Sequence, residues 1–177
     1  MTRATAVNPL TAGTGAGHWV LGSRAGSVRF AHRLMGGLLT VRGGFAVTGD
    51  VTVTPDGSVT GTLRIDSASI DTRNRKRDLH LRSADFLDVA RYPEILVVID
   101  SAAVSGDEVE LRADIRVKGI RERQRLHARI TDVSGDKVAV ALEVAIDRHR
   151  FGITWNRWGM VRGSTLITVD AVLTRAA

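Results

Sequence analysis

The chain has 177 residues, 44% of them hydrophobic and 25% charged, with no cysteine and a net charge of +6. Those values exclude a disulfide scaffold, thiol catalysis and cysteine zinc sites, and they fit one soluble domain with room for a core. Residues 1–50 hold five Arg against one acid, but farther along acids and bases are mixed, which argues against a nucleic-acid partner.

Residues 1–17 are small, polar and rich in Gly and Thr, and are expected to form a loose tail before a domain spanning 18–175. "GTGAG" at 13–17 has the composition of a phosphate loop, but no strand precedes it and no suitable helix follows, so it belongs to the tail. No signal-peptide core is present and no run approaches the roughly 18 apolar residues of a membrane span. A cytoplasmic protein without a transmembrane segment is the expectation.

Period-two alternation then takes over. Strands are expected at 27–33, at 38–53 with a bend at Gly43-Gly44, and at 58–67. The stretch 72–93 breaks the alternation and has room for a helix or two, with Thr72 and Ser83 as N-caps and Pro93 as the stop. A strand at 95–102 follows. In "VELRADIRVKG", Val109, Leu111, Ala113, Ile115 and Val117 share one face, and Glu110, Arg112, Asp114, Arg116 and Lys118 share the other. Such a pattern needs a strand with one dry and one wet side. "RLHARITDV" puts Leu126, Ala128 and Ile130 inside, and "KVAVALEVAI" does the same for Val138, Val140, Leu142, Val144 and Ile146. The last strand is expected at 164–173. "TPDGS", "VSGDE", "KGIRE" and "VSGDK" supply the hairpin turns between them. About eight antiparallel strands with a charged and an apolar face can close into a barrel. Small Val and Ala lining residues leave space inside.

Chemistry is sparse. Of five His, none pairs at helical metal spacing, and no G-x-S-x-G elbow or Walker A sequence occurs. No catalytic residue, metal site or cofactor is assigned. Asp71, Asp78, Asp85 and Asp88 lie near Arg or Lys, so they read as salt bridges and caps rather than acid–base pairs. "KGIRERQR" at 118–125 reads as a solvated basic turn.

The run "SIDTRNRKRDLHLRSADFLDVARYPEI" resembles the signature of the YceI-like family of polyisoprenoid-binding, lipocalin-like barrels. Ser69, Ile70, Asp71 and Thr72 match its start; Arg77, Asp78, His80, Leu81, Ser83, Asp85, Phe86 and Asp88 match its middle; Tyr92 and Pro93 match its end. "HWVLGSRAGSVRF", "RVKGIRERQRL" and "RHRFGITWN" resemble three further family motifs in order, so the likeness covers about 18–175. The departures are Gly22 and Ala25 or Gly26 in place of an acid and a His, a missing proline within Arg121–Gln124, Arg150 before Phe151-Gly152, and a shorter, more basic loop after Asn156.

The resemblance implies an all-β fold: an eight-stranded antiparallel barrel of extended lipocalin type with a short helical insertion around 72–93, often dimeric. It implies an apolar channel for an isoprenoid quinone, a polyprenyl chain or another fatty amphiphile. Phe30, Phe86, Tyr92, Phe151 and Trp155 are then the aromatic ligand contacts near the channel ends. Phe45, Ile70, Ile95, Val97, Leu111, Ile115, Val140 and Leu142 are the other apolar ones, and Arg148, Arg150, Arg157 and Arg162 are head-group candidates. Two other readings compete with the carrier. One is a self-filled barrel that binds a protein partner or serves a stress-related role; the other is an enzyme depending on Asp78 or His80.

Overall fold

Ten strand segments form among residues 15–177, the part of the chain that the computed structural model describes. They are β1 (Gly17–Leu21), β2 (Gly26–Leu34), β3 (Leu39–Phe45), β4 (Val47–Val53), β5 (Val59–Asp66), β6 (Glu94–Ser105), β7 (Glu108–Val117), β8 (Ile120–Ser134), β9 (Lys137–Ile146) and β10 (Thr165–Arg175). Apart from 15–17, the expected tail lies outside the described residues.

The ten segments make eight staves. β1 and β2 run in line along β10, interrupted only by the turn at 22–25. β3 and β4 run in line beside them, separated by Ala46. Every pairing is antiparallel, in the order β1-β4-β5-β6-β7-β8-β9-β10-β2-β3, and the β1–β10 pairing closes the ring. Closure removes the two outer edges an open sheet would have. The eight-stranded barrel expected from the alternation is therefore the fold.

Three details differ from the expectation. β1 was not among the expected strands. The long strand breaks at Ala46, not at Gly43-Gly44. Those glycines serve close approach instead: a Cβ on Gly43 would lie 2.7 Å from the Asp71 carbonyl oxygen and 2.7 Å from the Phe30 ring. Finally, bulges between Ile99 and Ser101 and between Ile130 and Asp132 reverse the inward parity. Beyond the first Ala102 and Val104 face in, and beyond the second Val133 pairs with the buried Val138, though it stays 37% exposed at the strand's end.

The turns at 54–58, 106–107 and 135–136 gather at one end of the barrel. The long connections 67–93 and 147–164 gather at the other, with the β2–β3 and β7–β8 hairpins. The 67–93 connection carries the helix α1 (Arg75–Arg82). Its N-cap is Asn74, whose side chain accepts from the Arg77 N–H at 3.0 Å, rather than Thr72. Ser83 closes this helix and does not open another: its N–H donates to the His80 carbonyl.

Thr72 has a different task. It is buried with Asp78, and its N–H and hydroxyl donate to Asp78 Oδ1 at 3.0 and 2.6 Å. Arg77 donates to the Thr72 hydroxyl and carbonyl oxygens, and Arg82 donates to the Ile70 carbonyl. Asp71 accepts from the Arg73 N–H, and its backbone exchanges two hydrogen bonds with Gly44. The charges of the insertion thus satisfy its own backbone and pin it to β3, as a buried irregular segment requires. Ile70 is buried under it, and Leu81, not the exposed Leu79, faces the barrel.

Candidate functional site

The barrel interior holds two apolar spaces. The smaller, about 120 Å³, lies toward the end of the short turns and is walled by side chains such as Trp19, Val53, Val59, Leu111, Ile130, Val140 and Leu142. The larger, about 370 Å³, lies under the insertion and the 147–164 connection. That size falls within the range of small-molecule sites. Strand order locates what divides them. Along β6, Ile95 lines the upper space and Ile99 the lower, with Val97 between; along β7, Val117 and Leu111 do so, with Ile115 between; along β9, Ile146 and Leu142, with Val144 between. Val97, Ile115 and Val144 pack into one cluster with Leu126 and Phe151 and form a waist.

Aromatic rings close the upper space from above. His80 on α1 meets Trp155 edge-on at 4.7 Å and Phe86 at 5.1 Å, and Phe86 lies 5.1 Å from Trp155. His80 is held by Asp85 at 3.0 Å. On the opposite wall Phe30 and Phe45 are 5.6 Å apart.

Two buried polar side chains reach this largely apolar space. His32 on β2 is 7% exposed; its Nδ1 contacts the Thr165 hydroxyl at 2.9 Å, and its Nε2 has no partner. Burial, followed by the nearby Arg148 charge, lowers the imidazole pKa below 6.5, so the ring is neutral at pH 7. The Thr165 hydroxyl at Nδ1 and the Arg162 backbone beside the ring orient the imidazole at the cavity wall. Arg148, also 7% exposed, donates to the carbonyls of Ile153, Trp155 and Val161 at 2.9, 2.8 and 3.0 Å. Its Nε has no partner, and desolvation lowers its pKa. A buried polar atom without a partner is costly, so His32 and Arg148 mark where a polar atom of an occupant would be stabilised.

The residues singled out in the sequence fall into groups. Phe30, Phe45, Ile70, Phe86, Ile95, Phe151 and Trp155 line the upper space. Leu111, Val140 and Leu142 line the lower one. Val97 and Ile115 belong to the waist. Tyr92 lines neither space and packs against Gly119. Among the four arginines, Arg148 alone reaches the cavity, and three carbonyls hold it there. Arg150 pairs with Glu122 and Arg157 stacks on Trp158, whereas Arg162 is exposed; none of the three lines either space. Sequence reasoning passed over His32, Arg77, His80 and Thr165 as cavity residues. For His32 a signal existed, since Val28, Phe30, His32 and Leu34 share one parity on β2. Among the described residues no three His, Asp or Glu side chains converge to hold a metal, and no helix is long and apolar enough to cross a membrane.

Known proteins share this architecture. The chain is similar to the protein YceI of Escherichia coli O157:H7, 36% identical over 74 residues, which is 42% of this chain and 39% of that relative. The match thus spans about two fifths of the relative's length. Among solved structures, BcnA of Burkholderia cenocepacia superposes with a TM-score of 0.76 at 18% identity, covering 86% of this chain and 98% of that one. A polyisoprenoid binding domain from Saccharophagus degradans, implicated in plant cell wall breakdown, gives 0.73 at 14% identity, covering 91% and 99%. A family model of the YceI-like domain matches residues 19–173, nearly the whole described barrel, and the chain belongs to that family.

Proposed function

We propose that the barrel binds one long-chain amphiphile non-covalently, with an isoprenoid quinone or polyprenyl compound as the preferred class. The observation that carries this reading is the pairing of an apolar cavity with two buried, unpartnered polar groups, His32 Nε2 and Arg148 Nε. An isoprenoid quinone has the matching parts: a carbonyl acceptor at one end and a hydrocarbon tail. The Saccharophagus degradans neighbour, described as a polyisoprenoid binding domain, supports the same class.

Energetics favour a long tail. Burying about ten methylenes is worth roughly 8 kcal/mol, against an association cost on the order of 4–15 kcal/mol. Ten methylenes only about offset that cost, so a longer tail that also enters the lower space binds more tightly. The tail would then pass the waist by rotamer changes at Val97, Ile115 and Val144. This is binding rather than catalysis: the buried polar groups are held by structure, and Asp78 is engaged by Thr72.

Quinones quench tryptophan emission, and Trp155 lines the upper space. Titration with a long-chain quinone is expected to quench a saturable fraction of the fluorescence at one equivalent per chain. Unsaturable quenching would contradict the reading. The waist favours a second reading, a self-filled barrel that recognises a protein partner. On that reading neither quinone nor polyprenol is taken up.

A further inference from the structure

The rim beside the upper cavity carries apolar side chains that nothing among the described residues covers. The β2–β3 turn and the 157–163 loop are tied together there: the Met35 N–H donates to the Met160 carbonyl at 3.0 Å, and Leu34 bridges Val161. From these two tips project Trp158, 86% exposed, Leu38, 80%, and Leu39, 57%, with Met35 and Met160 beside them. Isolated apolar residues are ordinary on a surface, but five exposed ones on two tips tied together mark a contact.

Charge identifies the contact. Segments 33–42 and 157–166 contain Arg33, Arg42, Arg157 and Arg162 and no Asp or Glu. All four arginines are exposed, and the Arg157 guanidinium lies 5.4 Å over the Trp158 ring. A second copy of the chain in a two-fold contact would bring these arginines against each other. An anionic bilayer instead meets both features: its head groups attract the arginines, and its interface accepts Trp and Leu. Position agrees, because Leu34, Val41 and Val161, on the same strands and loop, line the cavity.

We propose that this rim docks onto an anionic membrane surface, with Trp158 and Leu38 entering the interface and the four arginines against lipid phosphates. Docking there sets the upper cavity beside the acyl layer, so an amphiphile crosses between the two without traversing water. The docking stands independently of the cargo; the transfer step rests on the proposed lipid binding.

Sedimentation of the full chain with vesicles of phosphatidylcholine, alone or mixed with phosphatidylglycerol, tests it. Binding is expected to the anionic vesicles, weakened by salt, and weaker by about tenfold in the double variant Trp158→Ala, Leu38→Ala. Circular dichroism checks that the variant is folded. In the unchanged chain, lipids carrying a quencher in the acyl region are expected to quench the exposed tryptophan, since Trp19 is buried and Trp155 half-buried. Absence of sedimentation, or equal sedimentation of the variant, overturns the proposal. So does a dimer in light scattering that the double substitution abolishes without any vesicle binding. Quinone uptake from detergent by the double variant separates the two claims. Uptake without docking shows an intact carrier that has lost its rim. Docking by the unchanged chain without uptake upholds the surface and refutes the cargo.

Discussion

Asp78 and His32 show how differently two buried polar residues can behave in one small barrel. Asp78 receives two hydrogen bonds from Thr72, so its burial stabilises the insertion. Asp78→Ala should lose about 2 kcal/mol, measured by urea unfolding, because the Thr72 donors stay buried without an acceptor. His32 keeps one nitrogen unsatisfied. His32→Leu should weaken binding of a quinone about tenfold, or about 1.4 kcal/mol, while leaving binding of a polyprenyl hydrocarbon unchanged. Its pH behaviour has a definite sign. The folded pKa lies below the unfolded value of 6.5. As pH falls below 6.5 the unfolded chain takes up a proton that the folded chain refuses, so stability falls until the folded pKa is reached. In His32→Leu this contribution is absent. In unfolding titrations just below pH 6.5 the unchanged protein should therefore lose stability more steeply toward acid than His32→Leu; parallel curves would refute the assignment.

The insertion and the waist are the elements that define the site, and sequence made them legible to different degrees. Alternation exposed the long strands because each buries one face, and the turns were equally readable from Gly and Asp. β1 escaped because "HWVL" hides its parity: Trp19 and Leu21 face in, but Val20 is apolar too. The insertion was visible as a break in pattern, yet its capping was not, since Thr72 is drawn into the core by Asp78. The pinning role of Arg148 was hidden because its three acceptors come from a loop without periodicity. The waist was hidden because the inward faces of β6, β7 and β9 read as uniform, and only closure decides which side chains meet. Two substitutions test these elements. Gly43→Ala should cost about 1–3 kcal/mol in chemical unfolding and loosen the insertion, since its methyl collides with the Asp71 carbonyl and the Phe30 ring. Val144→Trp should fill the waist at a similar cost in stability. It should leave short-chain quinone binding near normal and weaken long-chain binding by tenfold or more, read by competition titration.

At the scale of the molecule, the two ends of the barrel have different jobs. The end of short turns is sealed by aliphatic side chains and Trp19, under the Arg175 guanidinium at 5.7 Å. The other end gathers every long connection, the larger cavity with His32 and Arg148 in its wall, and the basic, apolar rim. Such an asymmetry suits a vessel that fills from one side, and family membership supplies the frame without naming the contents. An interior built around an amphiphile should keep one through purification. Native mass spectrometry of the protein purified from a lipid-rich host, followed by organic extraction, addresses it most directly. One adduct per chain is expected, with the extracted mass of an isoprenoid or comparable long-chain lipid, and Val144→Trp should exclude it. A bare chain mass, unchanged after incubation with quinone and polyprenol, would contradict the proposed binding.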